Sequence, residues 1–196
     1  TILAGSEVDI KADGSLDYSA DLWFDARGEV ISPVILNEAY FEAGVNSQWL
    51  EVVNPTQSVV SLTQFKIGDQ ETPDGHEAIA QFPAGALLLP GQVFVVARDG
   101  ATFLSENATH ADAECNSSDG GTPDMLMFPA WATGTGFNIP NSGDEILLLD
   151  GSNTVVDVVT FKNGSWPGIT PAPGVPAQHS LERANPAIDT DDCAAD

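Results

Sequence analysis

After Pro33, apolar and polar residues alternate with a period of two along most of the chain, and turn residues punctuate the alternation at short intervals. In WLEVVNP at 49–55, Leu50 and Val52 share one face while Trp49, Glu51 and Val53 share the other, as in a half-buried strand. Asn54 and Pro55 end that strand, because proline cannot donate to a ladder and asparagine suits a turn. SVVSLTQFKIGD at 58–69 predicts two further short strands, and FPAGALLLPGQVFVVA at 82–97 predicts two more, joined by a turn at Pro90, Gly91 and Gln92. GDEILLLD at 143–150 and TVVDVVTF at 154–161 are separated by DGSN and predict a hairpin. In its second strand Val156 and Val158 are expected on one face, with the Asp157 carboxylate opposite them toward solvent. No segment sustains a 3.6-residue apolar period or a heptad repeat.

Residues 1–32 read differently. They predict one short strand, a DGS turn and a short helical turn before Pro33, as an N-terminal extension or the end of a neighbouring domain. The β domain is then 33–196. Within it the stretch from Gly100 to Asn141 is acidic and loop-like, so an insertion over about 100–141 is expected to decorate one end. MLMFPAW at 125–131 would dock an apolar patch back onto the domain.

The ordered series VILNEAYF (34–41), WLEVVNP, FPAGALLLPGQVFVVA, GDEILLLD, TVVDVVTF, SWP (165–167) and HSLER (179–183) resembles the lamin tail domain family. The resemblance covers roughly Pro33 to Asp196 and is to the globular tail without the filament rod, as in stand-alone tails of bacterial, often secreted, multidomain proteins. It implies an all-β, immunoglobulin-like antiparallel β-sandwich, and a role in display and interaction rather than a shared chemistry. Asn37, Glu38, Glu51 and Asn54 match the polar part of the family pattern. They would line a ligand patch, or else Asn37 and Asn54 bond loop backbone while Glu51 faces solvent or pairs with Lys66 or Arg183. A second, shorter resemblance, VDI followed by ADGSLDY, is to the PHP phosphoesterases and would make Glu7 a metal-binding carboxylate. None of that family's His-rich motifs accompanies it.

Charge narrows the partners. Twenty-nine acidic residues face six basic ones, for a net charge of −23. Such a chain repels polyphosphate backbones and anionic membranes, which argues against nucleic-acid partners. No apolar run is long enough to span a membrane. The chain starts at Thr1 without a Met or a signal peptide, as expected of a processed product or an excised piece, and a secreted or cell-surface location is expected.

Candidate chemistry is sparse. DTDDCAAD at 189–196 offers Asp189, Asp191, Asp192 and Asp196, and ADGSLD offers Asp13 and Asp17, oxygen ligands of the kind Ca²⁺ takes. The other reading is that these aspartates form Asx turns and cap loops. Cys115 and Cys193 lie in polar loops, and an even count of loop cysteines in a chain of secretory character favours a disulfide between them. The alternative is two unpaired thiols in a reduced compartment. His76, His110 and His179 have no partner at metal-binding spacing, and no GxSxG elbow accompanies Ser165 or Ser180. Trp49 and Trp166 read as packing residues, whereas Trp131, inside the insertion, is the candidate exposed binding aromatic. Sequons at Asn107, Asn116 and Asn163 matter only in a glycosylating pathway.

The expected function is thus a non-catalytic extracellular or cell-surface interaction or accessory module with a protein or glycan partner. The alternatives are an accessory piece of a larger metal-dependent phosphoesterase or nuclease, and a carbohydrate-binding module using Trp131.

Overall fold

The computed structural model describes residues 3–4, 9–10, 16–17, 23–24, 30–69, 77–132, 134, 136–185, 190 and 192–196, and up to residue 31 it describes strand pairing alone. Five two-residue strands come first: β1 (Leu3–Ala4), β2 (Asp9–Ile10), β3 (Leu16–Asp17), β4 (Trp23–Phe24) and β5 (Val30–Ile31). They pair as β1-β4-β5 and β2-β3. Val30 and Ile31 are strand, not the helical turn expected before Pro33, because they pair with Phe24 and Trp23.

The main body follows. Its first half comprises β6 (Ile35–Tyr40), β7 (Trp49–Val53), β8 (Val60–Ser61), β9 (Lys66–Gly68), β10 (Ile79–Gln81), β11 (Leu87–Leu88) and β12 (Val93–Ala97). Helix α1 (Gly100–Asn107) comes next, then β13 (Ala113–Glu114), β14 (Leu126–Met127), β15 (Gly143–Leu149), β16 (Val155–Lys162) and β17 (Leu181–Glu182). One five-stranded sheet has the order β14-β10-β9-β15-β16 and the other β13-β12-β7-β6-β17, with β8 and β11 as a separate ribbon. Pairing is antiparallel except between β12 and β13.

Alternation explains what each sheet buries. Leu36, Leu50, Val52, Phe94 and Val96 of one sheet meet Ile67, Ala80, Ile146, Leu148 and Phe161 of the other in a single core. Phe41 stacks on Phe161 with ring centroids 4.0 Å apart, and Phe82 meets Phe94 edge-on at 5.4 Å. Each such side chain contributes about 1.5–3 kcal/mol of transfer free energy on burial. The run Ile146–Leu149 is buried on both faces. Leu147 and Leu149 point the other way and pack with Ile79, Ala132 and Val158 under Phe128, Trp131 and Trp166. Trp131 is half-buried and packs on the back of β15, where Leu147, Leu149 and Val158 offer it an apolar surface.

The stretch 100–141 is woven into both sheets. β13 extends one and β14 the other, and Met125, Phe137 and Ile139 enter the central core. The Asp99 side chain caps α1 by accepting from Thr102 N at 2.9 Å, and Phe103 seats the helix on Trp49, Val95, Ala97 and Ala111. Glu114, buried, ties the helix start to the next loop. It accepts from Ser118 Oγ (2.7 Å), Ser118 N (2.9 Å), Asp119 N (2.7 Å) and Gly100 N (2.8 Å), and these bonds, led by the Ser118 hydroxyl, hold its carboxyl below the usual range despite burial.

The two sheets are tied together where β16 meets β6. β6 carries a bulge between Leu36 and Glu38, and β16 shifts register opposite Leu148 and Leu149. That shift reverses the parity of the strand, so Asp157 turns inward with Val159 and Phe161 instead of facing solvent, correcting the sequence-based expectation. Its Oδ2 accepts from Leu36 N at 2.6 Å. Arg183 donates from Nε to Leu36 O at 3.0 Å, faces both Asp157 oxygens at 3.4 Å, and reaches Asp196 Oδ2 with Nη1 at 2.9 Å. All three side chains of this network are buried.

The expected disulfide is not formed: Cys115 and Cys193 are both free thiols. Cys115 follows the edge strand β13, its N–H bonded to Ala97 O, whereas Cys193 lies on β16 at the opposite edge, accepting from Thr160 N at 3.4 Å. Four strand spacings of about 4.8 Å separate those edges, beyond the roughly 7 Å between Cα atoms that a disulfide spans. Burial pushes the Cys115 thiol up to about 12 and raises that of Cys193 as well. Two thiols should therefore titrate in denatured, unreduced protein, and in the native state Cys115 should stay unalkylated at mildly alkaline pH. Fewer than two titratable thiols would contradict this arrangement.

Candidate functional site

The outer face of the second sheet gathers chemistry that the core excludes. Register sets Glu38 directly opposite Glu51 and Glu182 directly opposite Glu38, so three glutamates line up across β17, β6 and β7. Cross-strand partners of this kind have Cβ atoms about 4.5–5.5 Å apart, and like charges so placed oppose pairing. Asp112 adds a fourth carboxylate nearby, accepting from Val95 N at 2.8 Å. Burial raises the carboxyl pKa of Glu38, against a lowering bond from Ser180, and Glu182 raises it further. Burial likewise raises Glu51, against the bond from Asn37, with Glu38, Glu182 and Asp112 adding repulsion.

One step along the same face, two residues or about 7 Å farther on, Tyr40 pairs with Trp49. Their rings stack with centroids 5.7 Å apart and a 20° interplanar angle, and Phe103 of α1 meets Trp49 edge-on at 6.3 Å. Tyr40 and Trp49 floor a groove of about 550 Å³ walled by Glu106 and Asn107 on one side and by Gln178, His179 and Ser180 on the other. The β6 bulge brings Asn37 onto this face as well. Its Nδ2 donates to Glu51 Oε1 at 2.6 Å, while its Oδ1 is buried with no hydrogen-bond partner.

The lamin tail domain family matches residues 28–163 of the chain. The protein belongs to that family. It is also similar to a solved structure, a DUF4876 family protein from Bacteroides thetaiotaomicron, with a TM-score of 0.52 and 15% identity. That match covers 69% of this chain and 55% of the other, so this chain spans little more than half of that protein's length, and at this identity the likeness speaks for fold alone. No curated protein matches the chain. The immunoglobulin-like β-sandwich of the lamin tail family is the architecture expected from the sequence and is the one described above.

Within this lamin tail fold the family-pattern residues divide by role. Asn54 is structural, with Nδ2 donating to Ser58 O and Leu88 O and Oδ1 accepting from Thr56. Asn37 bonds a carboxylate, not loop backbone. Lys66 lies against Phe128 and the carbonyls of Gln64 and Asp150, and Arg183 serves Asp157 and Asp196, so neither is the partner of Glu51. Of the proposed calcium ligands, Asp13, Asp189 and Asp191 lie outside the described residues, as do Glu7 and His76, and only strand pairing is described for Asp17. Asp196 is committed to Arg183 and to Thr190, and Asp192 caps Ala194 N at 3.1 Å. Among the described residues no three His, Cys, Asp or Glu side chains converge closely enough to hold a metal ion. His110 and Thr122 both reach Asp119 Oδ2, at 2.5 and 2.6 Å, the Thr122 hydroxyl donating to the carboxylate. Bonds from Thr122, from Gly121 N at 3.0 Å and from His110, in that order, hold Asp119 at about 2.

At one end of the first sheet lies a second group of acids. Asp69 accepts from Asn138 N at 2.6 Å and Ala78 N at 3.1 Å, and burial raises its pKa. Asp144, buried on β15, is pushed up to about 8, first by burial and then by Asp69, Glu77 and Glu145. Because its folded value lies above that of an unfolded chain, the protonated form favours the fold. That contribution is complete below about pH 4 and is lost as pH rises through about 8. Asp144→Asn should raise the melting temperature at pH 8, leave it unchanged at pH 4, and flatten the decline between them. An equal shift at both pH values would contradict a buried titrating carboxyl.

Proposed function

We propose that this lamin tail domain is a non-catalytic interaction module, secreted or at the cell surface, that captures a protein partner on the outer face of its second sheet. One observation supports the reading above the others: the half-exposed Tyr40–Trp49 stack beside an aligned row of glutamates. Interface anchors are enriched in rigid aromatics that bury large areas at little entropic cost, and this pair stands pre-organised by its own stacking and by Phe103. Modules of this fold typically serve protein interaction. A net charge of −23 steers cationic partners and repels polyanions. No helix among the described residues is long and apolar enough to cross a membrane.

The glycan reading has less support, since Trp131 covers β15. The accessory role beside a phosphoesterase or nuclease would place the chemistry on another polypeptide segment and use the same face for docking. Panning a random-peptide display library on the immobilised domain should enrich sequences whose binding is lost on Tyr40→Ala combined with Glu182→Lys. Enriched sequences that bind this double variant unchanged, or no enrichment at all, would defeat the proposal.

A further inference from the structure

The geometry points to a site for a guanidinium group, an arginine side chain of the partner, seated over the Tyr40–Trp49 stack and bonded to Glu38, Glu51 and the free amide oxygen of Asn37. This inference rests on the interaction reading above and names the chemistry that the same face selects.

Three independent features converge. The first is the row Glu182–Glu38–Glu51, adjacent residues on three neighbouring strands with their carboxylates on one side. The second is Asn37 Oδ1, an acceptor buried without a donor. Rotating the amide by half a turn would not relieve it, because Glu51 Oε1, 2.6 Å away, requires the NH₂ end. An acceptor buried with no donor costs about 1–3 kcal/mol, so the site is short of N–H groups. The third is the aromatic stack two residues along, whose ring faces attract a cation and stack on a planar one.

Each alternative cation fits less well. A metal ion needs its oxygens gathered at one point, and no such group of acids is present among the described residues. A lysine ammonium offers three donors from a single atom. Guanidinium offers five in a plane, matching acceptors spread along a strand row, and it lies flat on an aromatic face. Burial and mutual repulsion hold Glu38 and Glu51 in a state that a bound cation relieves. The groove beyond the stack leaves room for the peptide that carries the arginine.

The test uses the whole chain and a blocked peptide, acetyl-Gly-Ser-Arg-Gly-Arg-Ser-amide, titrated calorimetrically and by following the Trp49 indole resonance. The same peptide with citrulline for arginine, one with lysine for arginine, and Ca²⁺ alone serve as comparisons. The arginine peptide should bind and shift the Trp49 signal, with the citrulline and lysine forms at least about ten-fold weaker. Glu38→Gln with Glu51→Gln should cost about ten-fold or more, whereas the charge-matched remote pair Asp124→Asn with Asp150→Asn should cost less than about two-fold. Asn37→Leu should weaken arginine binding while an unchanged amide spectrum reports an intact fold. Equal affinity for citrulline or lysine, an equal loss in the remote pair, or displacement of the peptide by Ca²⁺ at the Glu38–Glu51 row would overturn the guanidinium assignment. A neutral peptide bound at this face would overturn it too but leave the interaction reading standing. If neither the peptides nor any library sequence bound here, both would fall.

Discussion

The fold depends on how two sheets are held in register at the edge where β16 meets β6, and the buried Asp157–Arg183 pair supplies that constraint. On the side of β6 away from β7 the ladder with β17 ends at Glu38 and Glu182, leaving the buried Leu36 N–H and C=O to be satisfied. Asp157 accepts the one and Arg183 donates to the other, while the Arg183 backbone N–H bonds Asn37 O at 2.8 Å. Either backbone group left unsatisfied would cost about 1–3 kcal/mol. A buried ion pair is weak evidence for net stability, because desolvation offsets attraction, but loss of one partner strands the other charge. Its value here is positional: three strands and the C-terminal Asp196 meet at one guanidinium.

The outer face follows from the same constraint. With Leu36 and Ala39 both turned to the core, the residues between them, Asn37 and Glu38, must share the exterior. The amide of Asn37 is thereby laid against Glu51, and Glu38 is set between Glu51 and Glu182. Self-stabilising sheets place opposite charges across strands; this one places like charges and leaves an acceptor free. Such local conflict in an otherwise consistent fold is the observation on which the proposed interaction role rests. Toward the core lies a cavity of about 40 Å³ near Leu181 and Cys193, room for two or three waters.

Legibility in the sequence tracked the range of the interactions. Strand 49–53 and the 143–161 hairpin were readable because alternation and turn residues are local, as the Asp150 side chain shows by accepting from both Ser152 N and Thr154 N. The row of glutamates was half readable: Glu38 and Glu51 appeared as a patch, but their direct opposition and the place of Glu182 require the register. Asp157 was misread because a register shift reverses strand parity and leaves no mark in the alternation itself. Helix α1 was missed since eight residues make too few turns to display a period, and only Gly100 and Phe103 on it are buried. Trp131 and the two cysteines were judged by loop composition, whereas apolar surface on the back of β15 and the spacing of sheet edges decide their roles.

The most direct test of this account is a double-mutant cycle on Asp157→Ala and Arg183→Met by urea denaturation. Each single change should cost about 3–5 kcal/mol, and the double change should cost less than the sum by about 2 kcal/mol or more. Costs that add to within about 0.5 kcal/mol would mean that the two side chains act independently, and the constraint on which the outer face depends would not exist.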